Sequence, residues 1–559
     1  MSGVCVPFRL APLLLALLAC GCGGGDASTI AIAVVEAPAL EAIPAETDTN
    51  SARLIRAATS EGLVAFDAQG RVVPALADRW IITDDGQSYI FRLRDGNWLN
   101  GDELTASSAR AALMASLRAM RGSPFERDLS GIDEIRVMAG RVIEIRLQRP
   151  MPYLLQLLAQ PELGLLHEKQ GSGPMRRVDE WSERAEGEAG AGGEAADRAR
   201  EAVAKADPVP EGGPKGQAIR LAPIEPGRLG LPDVESWDTR TRPVDMHVLS
   251  GAEAVRQFNA GTVDLVLGGR IQDFLLTRSV GILRGTIQLD PVVGLFGLHV
   301  MNDKGFLADP ANREALAMAI DREALLDPFG VGGWHPSTRI VSPSLEGDLG
   351  TIGERWGEQS VPQRRDVAAG RVRAWMLRTA AQPKSDEPPA RGTATGKPAA
   401  PGKPGQPPAA PLDNAPEVSV WLPEGDGSQI LFARLSADLA AISVRLVRTN
   451  EAGEADLLLV DDVARYPRAT WFLNRLSCAA RQGLCSAEAD TRVDEAAAAT
   501  SPEDRAALLS EAEAELTAAN VFIPFGTPIR WSLVRGSVSG FATNSWGWHP
   551  LMPLSWLPK

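Results

Sequence analysis

Two stretches of this chain cannot supply a hydrophobic core, and their positions limit what the rest can be. Residues 183–217 are rich in Glu, Ala, Gly and Arg, and residues 385–416 are dominated by Pro, Ala, Gly and Lys. Neither contains an aromatic side chain. Segments of that composition bury too little apolar surface to offset the entropy lost on ordering them. Such long runs are uncommon inside a compact domain, while loop-closure entropy grows slowly enough with length to tolerate them. Both are read as surface insertions into a fold that is complete without them. The 183–205 part, with its Ala and Glu/Arg pairs, also fits a solvated helix.

Between the insertions, strand and helix signals alternate. Ile90-Phe91-Arg92-Leu93-Arg94 alternates apolar and basic residues like a half-buried strand, with Asp95-Gly96-Asn97 as its turn, and Val142–Leu147 is a second such strand. The runs Val263–Leu267 and Leu457–Val460, bounded by acids or Gly, fit central strands of mixed sheets. Helix starts are marked by Thr105 before Ala106–Met120, by Asp309-Pro310 before Asn312–Leu326, and by Ser501-Pro502-Glu503-Asp504 before Ala506–Ala519. The expected class is α/β with α+β character, in more than one lobe.

The first segment serves targeting. Arg9 precedes the short apolar run Leu10–Leu18, which is too short to span a bilayer, and no later stretch reaches 18 uncharged apolar residues. Leu17-Leu18-Ala19-Cys20 resembles a bacterial lipobox, which implies that Cys20 is lipidated and becomes the first residue of the mature protein. The alternative is an ordinary secretory signal cleaved nearby, with Cys20 and Cys22 incidental. Either reading exports the chain. The following Gly21-Cys22-Gly23-Gly24-Gly25 has the composition of a tether.

Export bears on the remaining cysteines, Cys478 and Cys485, separated by six residues that include Gly483. In an oxidising compartment two nearby cysteines are expected to pair. A two-cysteine zinc site is the other reading, but it needs two more ligands and the nearby sequence offers no His. No metal and no cofactor are expected.

Several function classes lack the residues they need. A formal net charge of −14 gives no basic stripe for nucleic acid. Gly536-Ser537-Val538-Ser539-Gly540 places Val where a hydrolase elbow needs Ser. His-Glu-x-x-His is absent, and the five histidines are scattered singly. No phosphate-binding Gly-x-x-x-x-Gly-Lys motif occurs, so any ATPase must be another chain. The chain is not expected to be an enzyme.

Glu61-Gly62-Leu63-Val64, Pro74-Ala75-Leu76-Ala77-Asp78-Arg79-Trp80 and the run from Asp84 to Gly96 together resemble the N-terminal signature of solute-binding protein family 5. Further segments follow in that family's order: Phe258–Asp264, Asn312–Arg322, and the helix from Ser501 with Ile523-Pro524-Phe525 after it. The resemblance runs from about Leu54 to Leu554, insertions aside. Most of these residues read as structural: Gly62, Pro74, Gly86 and Gly96 as turns, Trp80 and Phe91 as core, and Asp321-Arg322 at a helix end.

The resemblance implies an extracytoplasmic receptor of an ABC importer with two lobes, a hinge and an extra subdomain. It would capture peptides, or a similar small solute, by closure and deliver them to a membrane permease. Expected divisions are a signal peptide 1–19, a lipidated Cys and tether 20–30, a first lobe with the extra subdomain 31–290, a second lobe 291–524, and a return to the first lobe 525–559. A periplasmic, lipid-anchored monomer working with permease and ATPase subunits is the expected state. The alternative is an exported peptide sensor or chaperone-like module on the same scaffold.

In peptide-binding relatives an Asp that pairs the ligand amine lies shortly before a Phe-Leu segment. Here Phe472-Leu473 precedes Leu476-Ser477-Cys478, and the nearest upstream acids are Asp461 and Asp462. They are the candidate amine partners, with a solvated strand end as the bland alternative. The intervening Ala464-Arg465-Tyr466-Pro467-Arg468 carries arginines in place of acids. Trp421 is a candidate cleft wall. The cluster Trp546, Trp548 and His549 reads chiefly as a satellite core for the last segment. Arg339 and Arg465 could pair a ligand carboxylate bidentately, with ordinary surface arginines as the bland alternative. A second departure is Ala106-Ser107-Ser108, where the family places an acidic pair at a helix start.

Overall fold

The computed structural model describes residues 29–36, 49–123, 125–178, 218–281, 285–343, 345, 352–381 and 415–558. The candidate lipidation site Cys20, and nearly all of both insertions, lie outside the described residues.

The strands in chain order are β1 (Ile30–Val35), β2 (Val64–Phe66), β3 (Val72–Pro74), β4 (Ala77–Ile82), β5 (Ser88–Leu93), β6 (Ile132–Ala139) and β7 (Val142–Leu147). They continue with β8 (Leu166–His167), β9 (Gln170–Gly171), β10 (Met175–Arg177), β11 (Ile219–Pro223), β12 (Val244–Leu249), β13 (Leu265–Gly269), β14 (Ile287–Asp290) and β15 (Gly294–Val300). The last are β16 (Glu417–Trp421), β17 (Arg445–Arg448), β18 (Leu457–Val463), β19 (Phe522–Gly526) and β20 (Arg530–Val534).

Two large mixed sheets organise the molecule. The first runs β10-β11-β12-β1-β13-β20-β14, with β1 parallel to β12 and β13, and the second runs β17-β16-β18-β15-β19. The backbone crosses between them only twice among the described residues, at Asp290–Gly294 and at Gly526–Arg530. The described residues between the crossings build the second lobe. A separate antiparallel sheet, β4-β5-β7-β6, forms a subdomain of the first. This is the α/β, two-lobed class expected from the sequence.

The apolar run of β1 has the physical reason given by strand periodicity, because alternate side chains enter opposite faces. Ile30, Ile32 and Val34 join one core cluster and Ala33 and Val35 the other, all buried. In the subdomain, Phe91 is fully buried and Trp80 packs on it at 6.4 Å between ring centroids.

Local signals hold where capping chemistry is present. Thr105 accepts from the Ser108 amide, and Ser108 Oγ accepts from the Thr105 amide at 3.1 Å, starting the helix Ala106–Ala119. That serine supplies the reciprocal bond of a capping box, so the helix is capped without the acidic pair. Ser501 caps the helix Pro502–Ala519 in the expected way.

The expected helix Asn312–Leu326 is a correction. It starts earlier, at Pro310, and ends at Ala319, with Ile320 extended and a new short helix Arg322–Leu325 capped by the Asp321 side chain. The break lets the buried Arg322 guanidinium donate to the carbonyls of Pro524, 2.7 Å away, and Ala317, 3.0 Å away. Burial pushes its pKa down to about 9.

Candidate functional site

Beyond the two backbone crossings, the contacts between the lobes among the described residues are non-covalent, and the lobes lie against one another. Arg530, first residue of β20, donates from Nη1 to Asp461 Oδ1 at 2.7 Å and from Nη2 to the Asp461 carbonyl at 2.8 Å. Arg270 Nη1, from the loop after β13, donates to the same carbonyl at 3.0 Å. Two first-lobe guanidiniums thus grip the end of β18. Gly425 and Gly427 allow a further close approach: a Cβ on Gly427 would lie 2.2 Å from the Ile271 carbonyl.

A second set of contacts runs along the segment 464–474. Asp128, on the short helix Phe125–Leu129, accepts from Tyr466 Oη and from Asn474 Nδ2, both at 2.6 Å. Tyr466 stacks on Tyr153 of the first lobe with ring centroids 4.3 Å apart. Burial pushes the Asp128 carboxyl up to about 6, against the lowering effect of its two donors, and burial together with Asp128 raises Tyr466 well above its ordinary value. Arg465 exchanges hydrogen bonds with Gln160, Nη1 to Oε1 at 3.2 Å and Gln160 Nε2 to the Arg465 carbonyl at 3.0 Å. Its Nη2 lies 3.3 Å from Glu162 Oε1, an oxygen that is also 2.9 Å from Arg53 Nε.

Buried polar atoms without a hydrogen-bond partner gather here: Asp461 Oδ2, Asn474 Oδ1, Gln156 Oε1 and both oxygens of Glu162. Buried polar atoms are normally paired, and such exceptions are where a ligand or water completes the set.

The structure places the sequence candidates unevenly. Asp461 and Asp462 both sit at the end of β18, but each meets a cation of the chain itself, Asp461 with Arg530 and Asp462 with Arg475. Burial alone would raise Asp462, but Arg475 holds it below the usual carboxylate range. Trp421 ends β16 half-buried, paired in register with Leu458. Arg339 is withdrawn from ligand duty: it is buried against Glu513 at 2.8 Å within the second lobe. The Trp546–His549 cluster docks on the first lobe. Trp546 Nε1 donates to the Gly70 carbonyl at 2.8 Å, and His549 Nε2 lies 3.1 Å from Asp290 Oδ2 at the crossing. Cys478 and Cys485 are bonded, with Cα atoms 5.1 Å apart.

Sequence reasoning missed Asp128, Gln160 and Glu162, which no local pattern singles out. The one signal was the arginine-bearing segment after β18. Among the described residues a single group has cation-site composition, Asp102, His167 and Glu168. Asn100 Nδ2 donates to both of its carboxylates, at 2.8 and 3.0 Å, which holds the group together without an ion.

Comparison with known proteins agrees with this architecture. Residues 71–196 match the family described as bacterial extracellular solute-binding proteins, family 5 Middle. The chain is 33% identical over 138 residues to the probable deoxycholate-binding periplasmic protein YgiS of Escherichia coli, covering 22% of this chain and 26% of that one. It is 23% identical over 324 residues to the oligopeptide-binding protein OppA of Bacillus subtilis, covering 54% of each. The matches thus span about half, or less, of those relatives' lengths. The crystal structure of Haemophilus influenzae OppA in complex with RPPGFSPFR superposes with a TM-score of 0.70 at 17% identity, covering 96% of this chain and all of that one.

Proposed function

We propose that this chain, which belongs to the family 5 bacterial extracellular solute-binding proteins, is the exported receptor of an ABC importer that captures peptides or a similar small solute between its lobes. The observation that carries the reading is the set of buried polar atoms without a hydrogen-bond partner along the seam of two lobes that the described backbone joins at two crossings. A receptor of this kind works through differential contact: ligand groups bonded to both lobes favour the shut form, which a permease then reads. No covalent step on the solute is needed.

In this reading Cys20 carries the lipid anchor, the body lies in the periplasm as a monomer, and permease and ATPase are other chains. Asp461 and Asp462 act as the frame that fixes the end of β18, with Asp461 Oδ2 left as an acceptor for a ligand amine. Trp421 is the candidate apolar wall from the second lobe.

The test is native mass spectrometry of the mature protein purified gently from its host, followed by denaturation to release bound solutes. A mixture of short peptides is the expected result. A single non-peptide solute would keep capture and discard peptides. Protein that is empty and shows no thermal shift with a peptide library would overturn the reading.

A further inference from the structure

We propose that closing the lobes on a solute takes a proton from water onto the Asp128 carboxylate, so that capture tightens as the surroundings turn acidic; this inference rests on the solute-binding reading above. Asp128 belongs to the first lobe, on the helix Phe125–Leu129, and its two donors, Tyr466 and Asn474, belong to the second. The shut form thus covers this carboxyl with side chains that leave it when the lobes part.

The geometry gives the buried anion no cation of its own. Asp128 is 5% exposed, and both of its donors are neutral, a phenol and an amide. Arg127, the next residue, pairs instead with Asp490 and Asp494 on the helix Ala487–Ala498, at 3.4 and 2.6 Å. Arg475, on the second lobe, pairs with Asp462. Tyr153, stacked on Tyr466, adds a second phenol beside the carboxylate, with Arg149 and Arg505 acting on it. An anion that is covered and hydrogen-bonded but not paired with a charge is costly, and a proton removes that cost. Burial outweighs the lowering effect of the two donors and of Arg475 and Arg127, which puts the carboxyl at about 6 in the shut form.

The partners accept either protonation state. The Asn474 amide offers Nδ2 to the carboxylate at 2.6 Å. Its Oδ1 is buried without a hydrogen-bond partner, and accepts from the carboxylic acid once the amide turns over. In the open form Asp128 faces water and keeps the ordinary carboxylate value of about 4. The conformation with the higher pKa is the one that acid favours. Near pH 7 both forms are almost wholly ionised and the proton plays little part. As pH falls through 6 the shut form alone takes it up, and the gain is complete near pH 4.

The test is calorimetric titration of the mature protein, stripped of co-purified solute, with trialanine at pH 6 in two buffers whose heats of ionisation differ. The difference in heat counts the protons taken up on binding. Asp273, raised to about 6 by burial and by Asp426 of the second lobe, is a second acceptor, so the Asp128 share is read as a difference. The unaltered protein is expected to take up about half a proton or more, and Asp128→Asn about half a proton less. Affinity of the unaltered protein should rise about tenfold from pH 7 to pH 5, a range in which trialanine stays chiefly a zwitterion. A second readout needs no added ligand: the Asp128 carboxyl carbon resonance, identified by its loss in Asp128→Asn or Asp128→Glu. It should titrate at about 6 in the protein as purified and at about 4 after stripping. Equal heats in the two buffers with trialanine bound, or a resonance that titrates at the same pH in both preparations, overturns the proton inference and leaves the capture reading intact. Protein that is empty as purified and binds neither trialanine nor a peptide library overturns both.

Discussion

Arg530 meets Asp461 across the lobes at the point where β19 hands the chain to β20, with Nη1 2.7 Å from Oδ1. Both side chains are nearly buried, and burial lowers the Arg530 pKa while Asp461 opposes that shift. Removing one partner of such a pair leaves an uncompensated charge, at a cost of about 3–5 kcal/mol. Asp461→Ala should therefore lower unfolding stability by that amount in urea titrations. Pairing it with Arg530→Met should restore part of the loss. If stability holds while solute affinity collapses, Asp461 serves the ligand and not the hinge.

Asp128 makes the shut form sensitive to pH. Burial raises its carboxyl to about 6 from an ordinary value near 3.8. A folded-state pKa above the unfolded one gives a contribution that is whole below about pH 4 and lost as pH rises through 6, of roughly 3 kcal/mol in total. Asp273 shifts the same way through burial and the nearby Asp426. Asp128→Asn keeps an acceptor for Tyr466 and Asn474 without the charge. Its melting temperature relative to the unaltered protein should rise steadily between pH 4 and 7, as read by calorimetry. A constant difference would remove Asp128 from the account.

The Cys478–Cys485 bond closes a short loop, with a sequence separation of 7. Chain-entropy reasoning gives about 2–3 kcal/mol for a loop of this size. Cys478→Ser with Cys485→Ser should lower stability by that amount and abolish the effect of a reductant on the melting temperature. A reductant effect that survives the double change would place the sensitivity elsewhere.

Glu513 accepts from Arg339 and from the Ile340 and Val341 amides, each amide 3.1 Å away, all buried in the second lobe. Glu513→Ala strands the guanidinium and two amides, so a loss of about 3–5 kcal/mol is expected. Solute preference should not change, because the pair lies off the seam. A loss of peptide affinity beyond the loss of stability would return Arg339 to the list of ligand contacts.

Much of the scaffold was legible because its signals are local. Thr105, Asp309 and Ser501 announce helix starts through side chains that bond the next amides, and the apolar runs in Val263–Leu267 and Leu457–Val460 announce strands interior to the two sheets. The end of the helix at Ala319 was not legible, because it is set by Arg322 reaching the Pro524 carbonyl, which lies 202 residues away. The seam was harder still. Asp128, Gln160 and Glu162 sit in unremarkable local sequence and become a site only when the segment after β18 folds across them. Asp461 and Asp462 were found by position in the chain, but their charges are answered by Arg530 and Arg475, which sequence order alone could not pair.

The central claim is that the lobes close on a solute. Small-angle X-ray scattering of the mature protein, first stripped and then resupplied with its own released solute, tests it directly. The account predicts a smaller radius of gyration on resupply, reversed when the solute is removed again. Identical scattering curves in both conditions would contradict it.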